Sequence, residues 1–229
     1  MRIYTLIAGT VIAACLSTAA MAGGPDRMPA YHSDPWHIDM AVLGGVSYTA
    51  AHAKNFTLTL PGNDAKIPFT GTTGDFLTQV GARYHRMGFG ATLEFNTGSI
   101  NAGSNLNEQV QTIKDMTSIG GYLSYMFMKL DRHSMTIIGT LAGTAWNIDV
   151  KEVPRGNNAY EASRYGVSES VGLRYAYHIL PHLQLLAQMT TEFHQLNTIV
   201  TSSLEQLKFK NTAAVSANFL AGVKYSFAM

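Results

Sequence analysis

Residues able to do chemistry are few and dispersed along this chain. Among its eight histidines, His178 and His182 are the pair closest to a metal-ligand spacing. They flank Pro181 across a turn instead of sharing a helical face, and no cysteine or closely spaced carboxylate joins them, so no metal is expected there. The chain has no G-x-S-x-G elbow, no H-E-x-x-H pair and no phosphate-binding glycine loop. Ser168, Ser170 and His194 are the serines and histidine that a lipid-cleaving nucleophile would need. What stands out instead is a set of isolated charges, Asp39, Arg83, Glu94, Arg174, Glu192 and Lys224, each on the polar side of an alternating stretch. A buried charge persists only when paired, so these residues predict salt bridges if that side faces inward.

The alternation that frames them is plainest from Thr212 to Met229. Ala213, Val215, Ala217, Phe219, Ala221, Val223, Tyr225, Phe227 and Met229 fall on one face, with Thr212, Ser216, Asn218, Lys224 and Ser226 on the other. Such period-two patterning describes a strand with one apolar and one wet side. Seven further stretches read the same way, beginning near Trp36, Phe76, Phe89, Ser118, Ser134, Tyr165 and Leu183; the faces of the one from Ser134 to Asp149 do not separate. Their connections alternate in length. Ala53–Thr73, Thr97–Thr112, Lys151–Ser163 and Gln195–Asn211 read as long loops, whereas turns near His85–Gly88, Lys129–His133 and Leu180–His182 are short. Short turns at one end and long loops at the other predict an all-β fold, an eight-stranded antiparallel up-and-down transmembrane β-barrel.

The first 22 residues read as a cleaved leader: Arg2, an apolar run from Ile3 to Ala14, and the small-residue site Ala20-Met21-Ala22. Ile12-Ala13-Ala14-Cys15 offers the alternative of a lipoprotein-type cut before Cys15. Residues 23–35 then form a short N-terminal segment and 36–229 the barrel. Cleavage at Ala22 removes the single cysteine, leaving no thiol chemistry. It also removes Arg2, which equalises sixteen basic and fifteen acidic side chains and gives no case for nucleic acid. No other apolar run approaches the length of a spanning helix.

Aromatic placement supports the membrane reading. Trp36, Tyr84, Phe89, Phe127, Tyr177, Tyr225 and Phe227 lie beside a short turn or a terminus, and Tyr48, Phe76, Phe95, Trp146, Tyr165 and Phe193 beside a long loop, as two interfacial girdles. Glu169 is the one charge in the outward frame. About ten residues above its turn, it is placed at the far interface, where a charge costs little, with a local bulge as the alternative.

On these residues the chain resembles the small eight-stranded outer-membrane barrels, such as the OmpA transmembrane domain, OmpX and opacity-type surface proteins. That resemblance implies residence in the bacterial outer membrane, contact with its lipid and lipopolysaccharide, and delivery by the barrel-assembly machinery through the terminal strand. Here Met229 stands where the family usually ends in an aromatic. Barrel closure would set the first strand between the second and the last, bringing Asp39 near both Arg83 and Lys224, with Arg174 opposite Gln188. An interior of this size is just filled by side chains. The network is expected to plug the lumen, with a gate or polar pathway as the alternative.

The expected role is therefore structural, with surface interaction, including contact with a host ligand, through four outer loops carrying Ile67, Phe69, Val153 and Leu204 among polar residues. The chain is not expected to be an enzyme or to hold a cofactor. A narrow porin-like channel, a barrel enzyme acting on lipid A or phospholipid, and a soluble secreted binding module are the other readings.

Overall fold

The computed structural model describes residues 36–51, 57–60, 63–66, 69–102, 109–152, 159–196, 208–209 and 212–228. The leader, the 23–35 segment, and Ile67, Val153 and Leu204 lie outside these. The described residues form eleven strands: β1 (Trp36–Ala51), β2 (Thr57–Leu60), β3 (Asn63–Lys66), β4 (Phe69–Tyr84), β5 (Met87–Ala102), β6 (Gln109–Leu130), β7 (His133–Glu152), β8 (Ala159–Leu180), β9 (Leu183–Leu196), β10 (Lys208–Phe209) and β11 (Thr212–Ala228). Eight of them close into an antiparallel barrel in the order β1-β11-β9-β8-β7-β6-β5-β4, and β10, β2 and β3 form a small separate sheet. Closure is complete because β1 pairs along its length with β4 on one side and β11 on the other. Within the closed part no edge is left to hydrogen-bond outside the sheet, as hydrocarbon requires; residues 159–165 of β8 pair with β7 alone.

Three two-residue turns join the strands at one end, within the Tyr84–Met87, Leu130–His133 and Leu180–Leu183 pairs. His85 and Asp131 take positive φ, 51° and 44°, in the first two. Pro181 cannot adopt that conformation, and the register shifts between His178 and Leu180 just before it.

Several strands run far beyond what the sequence pattern marks. β6 and β8 have 22 residues each, whereas about 9–11 cross the hydrocarbon layer. The stretches read as loops are corrected accordingly: β2, β3 and the first residues of β4, starting at Phe69, occupy the 53–73 stretch. The ends of β5, β6, β7 and β8 extend into the next two, and β9 and β10 into the last. Beyond the lipid nothing selects apolar residues on the outer face. Ladder hydrogen bonds continue there while the alternation stops.

Within the spanning part the two faces are inverted relative to a soluble protein. Val46, Ile119, Leu141, Met189 and Phe219 are all more than half exposed on the outside. Inside, among the described residues, 22 buried side chains are polar or charged and 13 are apolar. Only a lipid surround makes that arrangement favourable.

The outer aromatics form contacts near the turn end: Trp36 stacks on Tyr84 at 4.9 Å, and Tyr225 on Phe227 at 4.6 Å. Trp146 departs from the expected girdle. It is 1 % exposed, points into the lumen and meets His194 edge-on at 5.1 Å. The frame of β7 explains this, since Ser134, Ile138, Ala142, Thr144 and Trp146 are its buried residues. Mixed apolar and polar residues on both faces hide that frame in the sequence. Glu169 pairs with Leu141 and with the girdle residue Phe193, with no register shift nearby. Its charge therefore sits at the level of the loop-end aromatics.

Candidate functional site

The lumen is the only place where this fold gathers chemistry among the described residues. Alternation turns one side chain in two inward, and the register determines which of them meet. Near the turn end, Asp39 on β1 receives Arg83 Nε at 3.1 Å from β4 and Lys224 Nζ at 3.3 Å from β11, both on Oδ2. These three expected residues form one group.

Next inward, Arg174 on β8 lies opposite Gln188 on β9 and donates to its Oε1 from Nε at 2.8 Å. It also donates from Nη2 to Gln79 on β4. β8 and β4 are four strands apart in a ring of eight, so this bond crosses the full lumen. Tyr122 fills space beside it, buried over Gly81. A Cβ at Gly81 would come within 2.5 Å of the Tyr122 hydroxyl, so this glycine makes room for the ring.

An apolar cluster packs around this brace, with Ala41 beside Gln79, Ala176 and Leu186 on the turn side of Arg174 and Gln188, and Leu43, Leu77 and Leu220 on its loop side. On β4 it lies between Gln79 and Asp75, and on β11 between Lys224 and Asn218.

Toward the loop end a second polar group begins. Asn218 Nδ2 donates to Glu94 Oε1 at 3.3 Å and Glu192 Oε2 at 3.2 Å, while its Oδ1 accepts from Ser47 at 2.7 Å. Glu94 lies on β5, three strands from β11, so this too bridges the lumen. Asp75 is buried nearby, beside Glu94 and Glu192. The six expected charges thus separate into two groups on either side of the apolar layer of Leu43, Leu77 and Leu220, with Arg174 and Gln188 belonging to the turn-end side.

Gln79 and Asn218 lie on the polar faces expected of their strands but outside the expected network, and Asp75 and Arg164 lie outside both, though each is in the inward frame of its strand. Extending the period-two count by one or two residues before Phe76 and Tyr165 would find Asp75 and Arg164.

One further constellation has the residue types of a hydrolytic triad. The Ser216 hydroxyl is 2.9 Å from His194 Nε2, and His194 Nδ1 is 3.7 Å from Glu192 Oε1. Three observations argue against nucleophilic use. Ser216, His194 and Glu192 are all at most 1 % exposed. The Nδ1 to carboxylate distance exceeds a hydrogen bond, and Nδ1 has no hydrogen-bond partner. Ser216 also exchanges a 2.7 Å hydrogen bond with Thr49, which occupies its hydroxyl. Ser168 pairs with His194 across the β8–β9 ladder and Ser170 bonds Thr140 at 2.6 Å; both face the lumen, away from lipid. Among the described residues no group of three or more His, Asp or Glu is arranged to hold a metal ion.

A closed sheet, a polar lumen and an apolar exterior with aromatic rims leave one architecture. The chain is a small eight-stranded transmembrane β-barrel. No protein-family model and no curated protein sequence matches it. Solved structures share its shape at low identity. Neisserial surface protein A is 13 % identical with a TM-score of 0.47, covering 85 % of this chain and 98 % of its own. Ail, the attachment invasion locus protein of Yersinia pestis, seen with the heparin analogue sucrose octasulfate, is 9 % identical at 0.44, covering 83 % and 99 %. A major outer membrane protein from Thermus thermophilus is 11 % identical at 0.47, covering 82 % and 100 %. At these identities no residue role transfers to the present barrel.

Proposed function

We propose that the protein is an integral outer-membrane protein whose barrel is a closed anchor, with its turn end toward the periplasm, and whose activity lies in surface interaction through the connections at the loop end. One observation carries this reading. The lumen holds two polar braces, Arg174 to Gln79 and Gln188, and Asn218 to Glu94 and Glu192, with Leu43, Leu77 and Leu220 between them on β1, β4 and β11. A hydrated ion crossing such a path would have to shed water against Leu43, Leu77 and Leu220 without polar replacement, a barrier of the kind hydrophobic constrictions impose. A structural barrel needs a filled interior, whereas a channel needs a continuous wet one.

Planar-bilayer recording on the refolded protein tests the reading, with the gel-mobility difference between unheated and boiled samples confirming the fold. Electrical silence from a heat-modifiable barrel is the expected result. Stable conductance steps that change on substituting Glu94 would instead make the protein a narrow channel.

A further inference from the structure

The turn end of the lumen contains a cavity of about 530 Å³, bounded below by the short turns and above by Arg174 and Gln79. That volume falls within the range of small-molecule sites, about 300–1,000 Å³. We propose that this cavity is a binding site for a phosphate-bearing small molecule.

Its charge is the first reason. Arg83, Arg86, Lys129, Arg132, Arg174 and Lys224 line it, against Asp39 and Asp131 as its acidic residues. Asp39 already serves both Arg83 and Lys224. Two carboxylates cannot balance six cations, so the lining carries a surplus of positive charge whatever the local pairings. Convergence is the second reason. The six come from β4, the β4–β5 turn, β6, the β6–β7 turn, β8 and β11, and so surround the cavity instead of forming a stripe on one wall. Gathering like charges inside a low-dielectric ring is unfavourable, and a concave cleft focuses their field on any anion that enters.

The type of anion follows from the type of donor. Four of the six are arginines, whose planar forks match phosphate oxygens bidentately. A single carboxylate would leave most of the surplus uncompensated, whereas a phosphate or diphosphate brings two or more charges to one point. Ala41, Ala176, Tyr122 and Met126 supply apolar wall for the uncharged part of the molecule. Phosphate of this kind comes either from a soluble compound or from a lipid headgroup at the adjacent interface.

Calorimetric titration of the full-length barrel with pyrophosphate, in nanodiscs of zwitterionic lipid, tests the site. Arg86 and Arg132 lie in turns outside the braced lumen, so Arg86→Gln/Arg132→Gln is a variant that the gel-mobility assay can verify as folded. Saturable binding is expected, weakened about tenfold or more in that variant and retained by Arg86→Lys/Arg132→Lys in larger part. Nanodiscs containing phosphatidylglycerol distinguish the sources: competition with pyrophosphate identifies a headgroup as the occupant, and unchanged affinity identifies a soluble phosphate compound. Absence of saturable binding, or equal binding by the folded Gln variant, would overturn the proposal.

Discussion

Replacing Asp39 by alanine should destabilise the barrel by more than loss of a surface ion pair would. Its Oδ2 accepts from Arg83 and Lys224 at 3.1 and 3.3 Å, and the Lys224 and Asp39 side chains are only 14 % and 10 % exposed. A hydrogen bond to a charged group contributes about 1.5–3 kcal/mol. Two of them, discounted because Arg83 is 22 % exposed and the cavity admits water, give a cost of about 3 kcal/mol. The larger part of that cost is the repulsion left between cations that Asp39 had separated. With a urea m-value of about 2–3 kcal/mol/M, the unfolding midpoint in detergent should fall by about 1–1.5 M. Asp39→Ala combined with Lys224→Met should recover part of the loss, because it removes one of the orphaned charges. An Asp39→Ala barrel that unfolds at the wild-type midpoint would refute the pairing. A double variant no more stable than Asp39→Ala would refute the repulsion argument.

The apolar layer makes a second prediction: Leu43→Ala/Leu77→Ala should cost about 2–5 kcal/mol per leucine and introduce conductance steps in a planar bilayer, which recording on heat-modifiable protein would check. Gly90→Ala should impair refolding, since a Cβ there would lie 2.2 Å from the Val80 carbonyl oxygen and 2.4 Å from Gly81 Cα; the yield of the folded gel band measures it. Charge should be tolerated by depth, so Leu173→Arg on the outer face of β8 costs about 2–4 kcal/mol while Glu169→Arg costs about 1 or less, compared by denaturant titration. Ser216 should resist a fluorophosphonate serine probe in the folded barrel, and labelling at Ser216 would reopen the hydrolytic reading.

The spanning region is legible in the sequence because lipid on one side and a filled lumen on the other impose opposite demands on successive residues. Thr212–Ala228 shows this most clearly, and its apolar face is the outward one observed. Legibility fails wherever one demand lapses. Above the loop-end aromatics there is no lipid, so the extensions of β6 and β8 continue as ladder without a pattern. In β7 the inward face carries Ile138, Ala142 and Trp146, which a small lumen accepts as readily as polar residues. Apolar content therefore no longer marks the lipid side there, and the girdle placement of Trp146 fails for that reason. The pairing of Asp39 with Arg83 and Lys224 is readable because closure makes β1 a neighbour of both β4 and β11. The cross-lumen bonds of Arg174 and Asn218 are not, since they join strands four and three apart, and strand order alone says nothing of side-chain reach across the ring.

The apolar layer also explains why the two ends of the lumen differ in kind. Charges on opposite sides of it cannot share hydrogen bonds, so each compartment must settle its own balance. At the loop end Asn218 supplies two amide hydrogens to two carboxylates, and Asn96 adds another to Glu94 at 3.2 Å. Donors are thus contributed by the wall itself. At the turn end the surplus is cationic, and lysines and arginines bring only donors. The side-chain acceptors that serve Arg83, Lys224 and Arg174 are Asp39 and two glutamines, of which Asp39 alone carries charge. Further negative charge is what the proposed anion would supply. The division on which the proposed anchor role rests therefore also leaves the turn-end half with a cationic surplus, the half in which the proposed ligand would bind.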